Sequence, residues 1–470
     1  PTARRIGPVL VTLALLCFAT AVRADEPAKL RVGFASVDVT PDVTKAPVYL
    51  AGFGKNRRAT KVHDPLYVRT IVLADGAKTI AFSCVDVIGL FHDIVEHVRP
   101  RLPELTYLVV SSTHSHHGPD TVGMWGPSLF QTGADPAYLK RIEEAVVASV
   151  GQARSKMHDV AEVRVGTARD GDLLHDSRKP IVKHDEIVVL RFTDADKKVL
   201  GTLVQWNCHP EAIQRNNTEV SADYVPATVA YLEKRTAAPV VYLSGTVGGL
   251  MSPIHVKKND ETGAELTDGS FPMCERYGVL VGRLAEKALS AGKIRPLTPF
   301  VVRSRELYLP IDNSGYMLGY RLGVLKRVAY RWTGDVGNAE TPDPKDGKAP
   351  LCCKTEIARL TLGDVDIACI PGEIYPELVL GKVVDPAEPE ADFPHAPIEP
   401  SIYGQLDRPV KMMIGLANDE IGYILPKRQW DAEPPYCYGL KTRPYGEINS
   451  LGPDTAPLLC EAFRKLAATK

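Results

Sequence analysis

Short apolar runs recur through this chain with helical patterns between them, and that alternation limits the folds open to it. Residues 70–73, 80–85, 107–110, 187–192, 202–206, 240–243 and 365–370 read as buried strands. Residues 91–102, 137–152, 225–234 and 277–291 carry apolar positions at helical spacing. Strands alternating with helices predict an α/β fold with a mixed sheet core covered by helices, at least to about residue 295. Beyond the Pro-containing stretch 295–299, new strands are expected over 301–309 and 356–362. Two polar, Pro-rich segments, 333–350 and 385–400, read as surface loop insertions. No internal repeat or low-complexity tract is visible. Motifs that could carry chemistry fall in both halves, so the expectation is one large, intertwined catalytic unit.

Composition narrows the functional classes. The formal net charge of the 470 residues is -1, which gives no basic surface for nucleic acid and no global attraction to an anionic membrane. Arg4 and Arg5 precede an apolar run over 9–19, and Ala21-Val22-Arg23-Ala24 offers small residues for cleavage. This pattern predicts a secretory signal over 1–24, with a secreted or periplasmic mature protein over 25–470. The run is too short for a comfortable transmembrane helix, and no later run is long and apolar enough to span a bilayer. Export permits disulfides. Cys84, Cys208 and Cys369 lie in apolar runs and read as buried thiols, whereas Cys274, Cys352, Cys353 and Cys437 lie in polar stretches where a bridge is expected. No CxxC occurs, which argues against a thiolate zinc ribbon.

The densest motif is Thr113-His114-Ser115-His116-His117-Gly118-Pro119, directly after an apolar run. In extended chain His114 and His116 project to one side and His117 to the other. Paired imidazoles at a strand end suit metal binding or proton transfer. Four further motifs also follow apolar runs: Asn207-Cys208-His209-Pro210, Gly248-Gly249-Leu250-Met251-Ser252-Pro253, Ile370-Pro371-Gly372-Glu373, and Gly415-Leu416-Ala417-Asn418-Asp419-Glu420-Ile421-Gly422-Tyr423. Strand ends at one edge of an α/β sheet are where ligand crevices form. Two His, one Glu and one Tyr supply nitrogen and oxygen donors suited to a catalytic zinc with an open position.

This ordered set resembles the catalytic domain of the neutral/alkaline non-lysosomal ceramidase family. The likeness begins at Val32-Gly33-Phe34-Ala35-Ser36-Val37-Asp38-Val39-Thr40-Pro41 and continues through Asp64-Pro65-Leu66-Tyr67-Val68-Arg69 and Val85-Asp86. It is strongest at Thr113 to Pro119, similar to the family's Thr-His-Thr-His-Ser-Gly-Pro. The resemblance implies one zinc ion per chain, held by His114, His209, Glu373 and Tyr423. It implies that His116 handles protons beside the metal and that Arg178 contacts substrate or oxyanion. Ser252 matches a family serine that either positions substrate or acts as nucleophile. A tyrosine aiding the oxyanion should follow Tyr423; Tyr436, Tyr438 and Tyr445 compete, and the flanking Gly446-Glu447 favours Tyr445.

The implied activity is hydrolysis, by zinc-activated water, of the N-acyl amide bond of ceramide or a related N-acyl lipid. The implied partner is a small lipid-like amide reached by peripheral membrane contact. Leu250 stands where the family has Asp, and Glu211 where it has Thr. The immunoglobulin-like domain that follows the catalytic domain in characterised ceramidases is not expected here. These departures mark a side branch and leave open a zinc hydrolase of the same fold acting on a different amide or ester.

Overall fold

The computed structural model describes residues 29–341 and 349–469, together with Thr2. Apart from Thr2, the expected signal over 1–24 lies outside the described residues.

Four main strands form a first sheet: β1 (Arg31–Asp38), β2 (Tyr67–Ala74), β3 (Thr79–Val85) and β4 (Tyr107–Ser112). They lie in the order β4-β3-β2-β1, with β1/β2 and β2/β3 antiparallel and β3/β4 parallel. Helix α1 (His92–Val98) makes the crossover to β4, and α2 (Pro136–Ser155) follows it. The second sheet repeats this plan with β5 (Glu162–Arg169), β6 (Glu186–Thr193), β7 (Val199–Trp206) and β8 (Val240–Ser244). Only β7/β8 is parallel, α3 (Val225–Thr236) lies between those two strands, and α4 (Phe271–Ala291) follows.

The third sheet does the same with β9 (Phe300–Pro310), β10 (Leu351–Leu362), β11 (Val365–Cys369) and β12 (Val410–Ile414). Here β9/β10 and β10/β11 are antiparallel and β11/β12 is parallel. Helix α5 (Ser314–Arg321) sits between β9 and β10, and α6 (Tyr445–Ile448) and α7 (Thr455–Ala468) close the unit. The chain therefore contains a topology used three times, a repeat that the sequence analysis does not detect. The loops hide it: the first connection spans 39–66 in one unit, 170–185 in the next and 311–350 in the last.

Period-two side-chain alternation explains how the sheets assemble. In β3, Ile80, Phe82 and Cys84 face a central core while Ala81 and Val85 face α1 and α2. In β8, Val241 and Leu243 face the same central core while Val240 and Tyr242 face α3 and α4. In β12, Met412 and Ile414 point inward and Met413 outward toward α7. Three sheets thus share one interior, and each buries its other face under its own helices. The two longest helices have well-specified starts. Asp135 caps α2 by accepting from Ala137 N at 2.9 Å, Ser270 caps α4 by accepting from Met273 N at 3.3 Å, and Pro follows each cap within two residues.

The parallel strands of the three units meet at their C-terminal ends. Ser244 Oγ donates to Thr113 O at 2.7 Å, Gly415 N donates to Ser244 O at 3.1 Å, and Asn418 N donates to Val110 O at 2.7 Å. A Cβ at Gly415 would lie 2.2 Å from Gly245 O, so the approach requires glycine.

The expected disulfide region is not one. Cys274 lies on α4, Cys352 and Cys353 lie on β10, and Cys437 lies in a short helical turn. All eight described cysteines are buried and free. The thiols are buried in separate places, Cys274 beside Asp223 and Cys437 beside Asp431. No described helix is long and apolar enough to cross a membrane.

Candidate active site

After β4 the chain leaves the extended form sooner than expected. His114 adopts φ 69°, a left-handed conformation that costs a non-glycine residue about 1 kcal/mol or more. Its N–H donates to Val87 O at 3.0 Å, and its Nδ1 is 2.6 Å from Ile88 O. The turn still sends His114 and His116 into one cavity, while His117 turns away to bond Gln214 O at 2.8 Å through Nε2. Gly52 lies against His116. A Cβ there would sit 2.5 Å from His116 Cβ and Cγ, and its φ of 101° also calls for glycine.

His209 follows β7, with its backbone N 2.9 Å and its Nδ1 3.0 Å from Met251 O. Glu373 lies on a two-residue strand, Glu373–Ile374, paired in parallel with Tyr423–Ile424 so that Glu373 is opposite Tyr423. The four side chains converge. Glu373 Oε2 is 3.0 Å from His209 Nε2 and 3.3 Å from His114 Nε2, and Tyr423 OH is 3.4 Å from His209 Nε2.

The hydrogen bonds fix what these atoms can do. Nδ1 of both His114 and His209 faces a backbone carbonyl, so each Nδ1 carries the proton and each Nε2 a lone pair. Two lone pairs aimed at one carboxylate oxygen repel unless a proton or a cation lies among them. His114 Nε2 and both nitrogens of His116 are buried without hydrogen-bond partners. Ligand atoms of His114, His116 and His209 all lie within 4.8 Å of one another, so the group can hold a metal ion. Carbonyl-bound Nδ1–H is also the usual outer support of a metal-binding histidine. A second acidic grouping, His92, Glu96 and Glu306, is already neutralised, because Lys354 Nζ lies 2.6 Å from Glu96 and 2.8 Å from Glu306.

The electrostatics are those of a buried, crowded centre. Burial alone would raise the Glu373 carboxyl, but the charges and hydrogen bonds of His114 and His209 outweigh it and bring it to about 2. Burial disfavours the charged form of His209, yet Glu373 and Glu211 reverse this and raise it. His116 is held well below the usual imidazole range by burial and then by the neighbouring imidazoles. Glu420 is pushed well up by burial and by the Glu373 charge.

The remaining expected residues fall around this centre. Ser252 lies on the short strand Met251–Pro253, and its hydroxyl donates to Glu211. The other Glu211 oxygen is 3.5 Å from His116 Nδ1. Leu250 occupies a left-handed turn at φ 57°. Arg178 is buried outside the cavity wall, bonded by its guanidinium to Glu447 at 2.5 Å and to Gln429 O at 3.1 Å. Glu447 lies on α6, two residues after Tyr445, and Tyr445 does line the cavity with its ring 5.9 Å from that of Tyr423. Tyr438 instead stacks against Lys179 Nζ at 5.5 Å.

The cavity measures about 60 Å³ and runs from His114, His116, Glu373 and Tyr423 into apolar walls. Sequence reasoning passed over two of its lining residues, Glu420 and Tyr316. Glu420 stood in plain view three residues before Tyr423. Tyr316 lies on α5, inside a third-unit insertion, where no strand-end motif marks it.

No protein-family model matches the chain. The solved structure of neutral ceramidase from Pseudomonas aeruginosa superposes with a TM-score of 0.70 at 15% identity, over 94% of this chain and 74% of that one. A structure of a ceramidase complexed with C2 superposes with a TM-score of 0.68 at 14% identity, over 94% of this chain and 75% of that one. The fold is that of the neutral ceramidases. Its mixed α/β architecture extends across nearly the whole described chain, as the family resemblance implied.

Proposed function

We propose that this protein is a zinc-dependent hydrolase of N-acyl amide bonds, resembling neutral ceramidase and exported as a single catalytic unit over residues 25–470. One observation carries the reading: the Nε2 atoms of two imidazoles, each with its Nδ1 against a backbone carbonyl, face one oxygen of Glu373. His114, His209 and Glu373 would hold one zinc ion, with Tyr423 beside them, an N/O donor set suited to a catalytic site. When bound, zinc supplies Lewis acidity and lowers the pKa of water from about 15.7 to about 7.

The chain's own groups do the rest. His116, neutral at rest, takes a proton from the attacking water at a ring nitrogen in the cavity and passes it to the departing amine nitrogen; such positioned proton transfer contributes typically 10²–10⁴-fold. The Tyr445 hydroxyl, at the cavity mouth, donates to the oxygen that gains charge as the carbonyl is attacked. Arg178 acts through Glu447, holding α6 so that Tyr445 keeps its place. Ser252 positions rather than attacks, because its proton goes to Glu211 and no imidazole stands ready to accept it.

Ceramide or another N-acyl lipid, taken up by peripheral contact with a membrane, is the substrate class the resemblance suggests. A non-ceramide amide or ester is the second reading, favoured by Glu211, by Leu250 and by a cavity of about 60 Å³. Elemental analysis of purified protein should find one zinc per chain. Fluorescent ceramide assayed beside short N-acyl amines and esters separates the two substrate readings. Zinc-free protein that is fully active would overturn both.

A further inference from the structure

The cavity at the metal-donor cluster is small for the chemistry proposed around it. Ligand pockets usually enclose roughly 300–1,000 Å³. This one measures about 60 Å³. Beyond the donor atoms its walls are mostly apolar, with Phe91, Val122, Met124, Trp125, Tyr316 and Leu325, and carry the polar Glu420 and Asn449. Val122, Leu325 and Phe91 belong to one buried cluster, against which Trp125 and Tyr316 pack.

The far wall is a partition. Met124, Tyr316, Leu325 and Asn449 line the cavity on one side and, on the other, a separate groove of about 790 Å³. That groove also carries the exposed Leu129, Phe130, Leu318 and Ile448. The partition is firmly built. Asp120 accepts from Val122 N at 3.1 Å, Gly123 N at 2.7 Å and Trp125 N at 2.8 Å, locking the loop that carries Met124 and Trp125. On the α5 side, Val324 N and Leu325 N both bond Gly319 O, at 2.9 and 3.2 Å.

Resting on the amide-hydrolase reading above, we infer that this cavity is the acyl subsite and admits only a short or single-ring acyl group, its length limit set by Met124, Tyr316 and Leu325. A long chain has no path inward without displacing that partition.

The test is a series of N-acyl amines from acetyl to palmitoyl, assayed with zinc-loaded protein, beside calorimetric binding of the matching free carboxylates. Each methylene up to about butyryl should raise kcat/KM roughly fourfold, the usual gain for burying one. Decanoyl and longer chains should fall at least tenfold below the optimum. Leu325→Ala, and independently Met124→Ala, should shift the optimum toward longer chains by joining the cavity to the groove. Zinc content and melting temperature identify a variant that has merely failed to fold. Palmitoyl amides turned over as well as butyryl amides by the unaltered protein would overturn the inference and leave the amide-hydrolase reading intact. An unchanged length profile in both folded variants would overturn the partition's role. If no amide of any length is cleaved, the functional reading fails, and the carboxylate series decides alone: tighter binding of butyrate than of decanoate supports the acyl-sized cavity, and the reverse overturns it.

Discussion

The ends of β4 and β8 occupy the same place in the first and second units, yet one is a cluster of unpaired donors and the other is a closed joint. After β8, Gly245 leaves no space unfilled. A Cβ there would meet Gln205 Nε2 at 2.0 Å and Asn207 Oδ1 at 2.2 Å, and Thr246 N bonds Asn207 Oδ1 at 2.8 Å. After β4, His114 and His116 bring buried ring nitrogens that no protein group satisfies. Identical topology therefore does not decide where chemistry sits. Each strand end is either sealed by small residues and amide pairs or left with donors in need of a ligand.

The sharpest way to break this contrast is His114→Ala. Zinc stoichiometry and turnover should both vanish, while the metal-free protein melts close to the metal-free parent. Retention of a full equivalent of zinc, by elemental analysis, would show that the donor set lies elsewhere. Next in size, Arg178→Met removes the ion pair joining the second unit to α6 of the third. Above pH 7, where the Glu447 carboxyl is ionised, it should cost about 3–5 kcal/mol in urea unfolding, the usual penalty for orphaning a buried charge, and lower kcat with zinc retained.

Glu447 also makes a pH prediction. Burial holds its carboxyl at about 7 rather than 4.5. The folded state therefore keeps a proton that the unfolded state loses, so this group's contribution is present at low pH and fades as pH rises toward 7. The fall is about 3 kcal/mol, at 1.36 kcal/mol per pH unit, and Glu447→Gln should flatten the stability profile over that window. Gly245→Ala, the mirror of the first experiment, should destabilise by about 1–3 kcal/mol through overpacking and leave one zinc per folded chain. Smallest of all, a reductant should not change the melting temperature, because the buried thiols are unpaired.

Much of this was legible in the sequence because the central strands are apolar on both faces and stop abruptly. The runs at 80–85, 107–110, 202–206 and 240–243 all lie in observed strands. The residues just after three of the parallel strands, His114, His209 and Glu373, come together through side chains the motifs had already marked. What the sequence hid is what depends on pairing between distant segments. The threefold repetition is one of strand order, with side chains and loop lengths free to drift. The bridge expected among Cys274, Cys352, Cys353 and Cys437 is absent, because a polar neighbourhood along the chain says little about which side chains are buried or which lie near one another. Tyr316 and Glu420 were missed because a cavity wall made from an insertion has no period and no motif. The resemblance implies that Arg178 contacts substrate or oxyanion; its partner Glu447 is visible only in three dimensions.

The donors that converge on Glu373 are spread from residue 114 to residue 423, one or more from each unit. A ribosome has therefore to release all three before the cluster can close, and a nascent or truncated chain that stops short of Tyr423 carries only scattered histidines. If the cluster binds a metal as proposed, capture would come late in folding and would report that the last sheet has docked.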